Sequence, residues 1–222
     1  MTLLQIDYIK VAQAEGTDPP YSKADIQECI KHVVDIGHGE KTDIAPDIKI
    51  SMENAGHILG SSSVYMHIGE GSHEHRLLFS GDIKYEKSWL FDAATVRFPK
   101  ADTLVIESTY GGPQDFQPNR VDATHEIQDL VKLAVSRSGK IFCPVFAVGR
   151  SQEVMLAIDQ LFKSGEVTPI TVWLDGMISE ATAIHASHPD YLNRDLRKQV
   201  LRGGEENPFN SPWFKQVDSR EQ

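Results

Sequence analysis

Three short segments carry residue types that can do metal chemistry, and each follows a run that reads as a β-strand. They are Asn54-Ala55-Gly56-His57-Ile58-Leu59-Gly60-Ser61, Phe79-Ser80-Gly81-Asp82 and Glu107-Ser108-Thr109-Tyr110-Gly111-Gly112. A neutral imidazole and carboxylates are ordinary zinc ligands, and ligands on neighbouring strands can meet one ion without being close in sequence. Strand ends are also where α/β folds assemble sites. Taken singly, each segment has a plainer reading: His57 as a packed turn histidine, Asp82 as a residue closing its turn, Glu107 as a cap for the turn after it.

Order and flanks favour the first reading. Gly56-His57-Ile58-Leu59-Gly60-Ser61 resembles the third motif of metallo-β-lactamase-fold nucleases, Ser80-Gly81-Asp82 the fourth, and Glu107-Ser108-Thr109-Tyr110-Gly111 the acidic first motif of the β-CASP extension. Pro144-Val145-Phe146-Ala147-Val148-Gly149-Arg150-Ser151-Gln152-Glu153 is similar to the first strand-turn-helix of a β-CASP domain, and Leu174-Asp175-Gly176-Met177 adds a further match. The similarity covers nearly the whole chain and is closest to the archaeal cleavage and polyadenylation specificity factor-like ribonucleases.

That resemblance implies a zinc-dependent hydrolase acting on RNA phosphodiesters in 3′-end processing or decay, with two zinc ions, RNA as partner and a cytoplasmic location. His57 would bind one zinc, Asp82 would bridge both, and Glu107 would orient a histidine that protonates the leaving oxygen. Asp82 and Glu107 are thus the expected catalytic residues, His57 and Asp82 the expected metal ligands. Gly149, Arg150 and Ser151 open a helix after an apolar run, so backbone N–H groups and a guanidinium there are expected to receive an RNA phosphate; the plainer reading makes Ser151 an N-cap.

The family's His-x-His-x-Asp-His run and its two later histidine motifs do not occur in these 222 residues. The sequence therefore reads as an internal fragment, inactive alone, that requires a complementing chain or flank and could pair as a homodimer. A non-catalytic RNA-binding or assembly module is the rival reading, and a metallo-β-lactamase-fold hydrolase of another substrate is a third. His73 and His75 form an H-x-H pair, but in a polar turn.

The elements that must hold these residues follow from periodicity. Helices are expected from Thr2 and from Ser22, the second with Asp25 in an imperfect capping box and Ile26, Cys29, Ile30, Val33 and Val34 on one face. Strands follow at 48–52, 64–68, 76–79 and 103–106, with a hairpin connection at 69–74. Beyond Gly112 the pattern predicts a helix around Ile127–Val135, a strand at 140–146, a helix through Val154–Phe162, a strand at 170–174, helices at 178–185 and 191–200, and a loop from Gly203. The fold class is α/β, a partial metallo-β-lactamase αββα sandwich over 1–112 followed by a partial β-CASP α/β domain over 113–222 around a mostly parallel sheet.

Composition fits a packed protein: 40% hydrophobic and 24% charged residues, with 16 Gly and 11 Pro. A formal charge of -10 excludes a surface that grips nucleic acid everywhere, leaving room only for a local cleft. Two cysteines, Cys29 and Cys143, suit neither a thiolate zinc site nor a disulfide framework. No basic-apolar leader opens the sequence and no apolar run reaches membrane length, so no membrane association is expected.

Overall fold

The computed structural model describes residues 1–217 and separates into two compact units, Met1–Gly37 and the chain from His38 onward. In the first, α1 (Thr2–Ala14) buries Ile9 and Ala12, and α2 (Lys23–Lys31) buries Ile26. The capping box forms as expected: Asp25 N–H donates to Ser22 Oγ at 3.3 Å and Ser22 N–H to Asp25 Oδ2 at 2.7 Å. Thr2 lies inside α1, with Met1 in the capping position, and Val33 and Val34 fall beyond the end of α2.

The second unit begins with a five-stranded sheet in sequential order: β1 (Lys41–Ala45), β2 (Ile48–Asn54), β3 (Ser62–Ile68), β4 (His75–Phe79) and β5 (Thr103–Val105). The first three pairings are antiparallel and β4–β5 is parallel. This topology has one decisive consequence. β2, β4 and β5 run in the same direction, so the loops leaving their carboxyl ends emerge along a single edge of the sheet. The β3–β4 connection contains the expected tight turn, entered through Gly69 at φ +77°, where a Cβ would stand 2.5 Å from the His73 carbonyl oxygen.

Helices dominate the rest: α3 (Arg120–Ser136), α4 (Arg150–Ser164), α5 (Ile178–Ser187) and α6 (Arg194–Arg202). In α4, Met155, Ile158, Leu161 and Phe162 recur at helical spacing and are all buried. Gly165, left-handed at φ +78°, ends the helix. Ile158, Leu161 and Phe162 pack with Val131 of α3, and Trp213 sets its ring edge-on to Phe162 at 5.5 Å.

A second core joins Leu90 and Phe91, from the long β4–β5 connection, to Leu156 of α4, Leu192, Leu196 and Val200 of α6, and Phe209. Residues before and after Gly112 thus share one apolar cluster, and truncating a large member to alanine is worth about 2–5 kcal/mol.

Two sequence expectations are corrected. Residues 140–146 form no strand among the described residues, and Phe142 and Phe146 are almost fully exposed. In place of a mostly parallel sheet there is a two-stranded parallel ribbon, β6 (Val172–Leu174) with β7 (Phe214–Gln216), and β7 lies in the tail expected to be loop. No described helix is long and apolar enough to cross a membrane.

Candidate active site at the carboxyl edge of the sheet

The loop leaving β2 is fixed from both ends. Asn54 Oδ1 accepts from Gly56 N–H at 2.9 Å, and Asn54 Nδ2 donates to the carbonyls of Asp92 and Ala93 at 3.3 and 3.1 Å. Ala55, fully buried, donates its N–H to Ser61 O and accepts from Lys84 N–H at 2.8 Å. The Ser61 hydroxyl oxygen accepts from both His57 N–H and Ile58 N–H at 3.1 Å. Gly56 makes this closure feasible: at φ +67°, a Cβ would stand 2.7 Å from Lys84 O and 2.8 Å from Ala94 N. The backbone that carries His57 is therefore set by neighbours on both sides.

Ser80 ties the other two tips together. Its N–H donates to Val105 O at 2.9 Å, its hydroxyl oxygen accepts from Glu107 N–H at 3.1 Å, and its hydroxyl donates to Gly81 O at 2.6 Å. From the next tip, the Ser63 hydroxyl donates to Ser80 O at 2.8 Å. One buried serine thereby positions the turn of Asp82 against the start of the Glu107 segment.

These loops bring His57, Asp82 and Glu107 to one place. His57 Nε2 and Asp82 Oδ2 are 3.7 Å apart, on side chains 40% and 68% exposed. That is too long for a hydrogen bond. Two donors held tetrahedrally at about 2.1 Å from one zinc stand roughly 3.4 Å apart, so the pair fits one edge of a zinc polyhedron. Glu107 is turned towards backbone: its Oε1 accepts from Ile83 N–H at 2.8 Å and its Oε2 from Thr109 N–H at 3.3 Å. The Thr109 hydroxyl, the Ile83 N–H and the nearby His57 charge hold its carboxyl below the usual range, against a small opposing cost of burial.

Among the described residues no group of three or more His, Cys, Asp or Glu side chains could hold a metal ion. The donor set at this edge fits half of a zinc site and no more. Its remaining positions need donors from elsewhere.

The Gly149 segment adjoins this site but differs from the expectation. Gly149, at φ +83°, caps α4, and a Cβ on it would lie 3.3 Å from Ile58 Cγ2, so the helix start abuts the residue after His57. Its N–H is taken by Gln152 Oε1 at 2.7 Å, Arg150 N–H by Val148 O at 3.1 Å and Ser151 N–H by Phe146 O at 3.3 Å. Ser151 is buried within the helix, not its N-cap, and its hydroxyl donates to Ala147 O. Gly149 and Ser151 thus offer a phosphate nothing, because the tight turn consumes their donors internally. Arg150 alone of the three keeps an open side chain, 55% exposed, with Nη1 on Glu153 Oε2 at 3.2 Å.

Sequence reading missed the residues that hold the site: Asn54, Ser61 and Ser80. Serine and asparagine beside glycine signal only turns, and nothing local reports what they bond to.

The motifs, their shared edge and the α4 turn define a partial metallo-β-lactamase/β-CASP arrangement, and residues 151–222 match the Beta-Casp domain. The chain belongs to the metallo-β-lactamase/β-CASP family. Within it, the chain is 50% identical over 221 residues to the transcription termination factor FttA of Methanosarcina mazei, and 44% identical over 221 residues to that of a Lokiarchaeum species. The Thermococcus kodakarensis factor is 45% identical over 222 residues. Each match takes in all of this chain but only 34% of the relative, so the chain spans about a third of the length of the factors it resembles.

Proposed function

We propose that this chain supplies part of the RNA-acting centre of a β-CASP protein similar to the archaeal termination factors, and that the centre's chemistry is hydrolysis of RNA phosphodiesters. The observation that carries the reading is the meeting of His57, Asp82 and Glu107 where three codirectional strands end, with His57 and Asp82 at zinc-edge spacing. Residues 1–112 would belong to the metallo-β-lactamase part and 113–222 to the β-CASP part.

His57 and Asp82 would hold zinc together with donors from outside these residues. Bound there, zinc would polarise a phosphate oxygen and acidify a coordinated water. Glu107, kept ionised by its N–H and hydroxyl donors, would hold the Ile83 backbone and so the Asp82 turn, and would add negative charge beside His57. Arg150 is the residue of its segment left to face a phosphate.

Two protein donors fall short of the usual three plus water of a catalytic zinc site. The chain alone should therefore bind single-stranded RNA without turning it over. Incubation of labelled RNA with the 222-residue chain and zinc tests this by gel shift and product analysis. Absence of RNA binding would sink the reading. Zinc-dependent cleavage abolished by Asp82→Ala would show instead that the chain completes the site unaided.

A further inference from the structure

Glu153, in the first turn of α4, is shared by two guanidinium groups. Arg120 Nη1 bonds Glu153 Oε1 and Arg150 Nη1 bonds Glu153 Oε2, one arginine on each carboxylate oxygen. The carboxylate is largely buried, its side chain 15% exposed, whereas Arg120 and Arg150 are 24% and 55% exposed. Charge does not balance: two cations meet one anion, which leaves one positive charge at a single point of a chain whose formal charge is -10. Neither arginine forms another ion pair among the described residues.

The cluster also has a place. Arg150 directly follows Gly149, which abuts Ile58 next to His57. Arg120 reaches Glu153 from the start of α3, where Asn119 caps the helix by accepting from Val121 N–H at 2.8 Å. Its helix start is thus anchored independently of the ion pair. Guanidinium forks are matched to phosphate oxygens, and a carboxylate that holds two of them sets their separation and orientation.

We infer that Arg120 is a second phosphate-contacting residue, acting with Arg150 on one stretch of RNA backbone beside the His57 edge, and that Glu153 is the positioning residue that pairs them. The inference rests on the RNA reading above. It departs from the sequence expectation, because the phosphate is held by side chains of two helices and not by the N–H groups of Gly149 and Ser151.

The test is the salt dependence of binding of an unstructured oligouridylate to the 222-residue chain, by fluorescence anisotropy. Each phosphate contact on a single strand adds about 0.7 to the slope of log affinity against log salt. Arg120→Gln and Arg150→Gln should each reduce the slope by about 0.7, so that the affinity lost over a fourfold rise in salt shrinks roughly 2.6-fold. Arg120→Lys keeps the charge and should restore the slope even where packing suffers. Glu153→Gln, which removes the competing anion, should leave the slope unchanged or steeper.

An Arg120→Gln chain that binds with an unaltered slope overturns the inference, as does a Glu153→Gln chain with a shallower one. These failures leave salt-dependent binding by the native chain intact. Absence of such binding in the native chain rejects the RNA reading itself, and the inference with it.

Discussion

Gly56 and Gly60 flank His57 in the same left-handed conformation, at φ +67° and +73°, yet their surroundings differ. A methyl added at Gly60 meets nothing within 4 Å, whereas at Gly56 it would stand 2.7 Å from Lys84 O, 2.8 Å from Ala94 N and 3.0 Å from Asp92 O. All three are backbone atoms, so relief requires the 84–94 loop to move. Gly60→Ala should cost only the left-handed penalty, about 1–2 kcal/mol. Gly56→Ala should add an overpacking cost of about 1–3 kcal/mol, for a total of roughly 2–5.

Urea denaturation of the two variants beside the native chain measures the difference. With a slope of about 2 kcal/mol/M, the midpoint should fall by roughly 0.5–1 M for Gly60→Ala and 1–2.5 M for Gly56→Ala. The imidazole resonances of His57 should shift only in the second. Equal midpoints for the two variants would refute the claim that the packed 84–94 loop fixes the His57 turn.

Asn193, buried, donates Nδ2 to Ser88 O and Trp89 O at 3.2 and 2.7 Å, while its Oδ1 accepts from Asp195 N–H and Leu196 N–H, both at 3.1 Å. Asn193→Ala strands all four groups and should cost about 2–4 kcal/mol by chemical denaturation; a loss under about 1 kcal/mol would contradict it. His185 is buried between Phe91 and Phe209, its Nδ1–H donating to Ala181 O at 2.7 Å and its Nε2 without a partner. Burial, partly offset by that carbonyl, holds its pKa below 6.5. The unfolded chain takes up this proton first as pH falls, so the stability His185 supports is present above pH 6.5 and lost below it. Unfolding midpoints from pH 7.5 to 5.5 should drop more for the native chain than for His185→Gln, and parallel curves would contradict the assignment.

What could be read from the sequence follows the range of the forces involved. Strands β2 to β5 were legible because alternating burial is a local signal, as were α3 to α6 from helical spacing. The apolar run at 140–146 looks like a strand by the same signal, but a strand is made by its neighbour, and none pairs with it among the described residues. β7 was invisible for the converse reason: its polar sequence is ordered by β6, some forty residues earlier. The site divides likewise. His57, Asp82 and Glu107 announce themselves by type and flank, whereas Ser80, which bonds Glu107, and Arg120, which bonds Glu153, depend on partners far along the chain.

The claim on which the account turns is that His57 and Asp82 form a metal-ligating edge. Titration of the chain with zinc by calorimetry tests it, with the exposed His73 and His75 as the rival pair. The account predicts that the heat of binding survives His73→Ala/His75→Ala and is lost in both His57→Ala and Asp82→Ala. Binding that persists in the latter two and disappears in the former would contradict it.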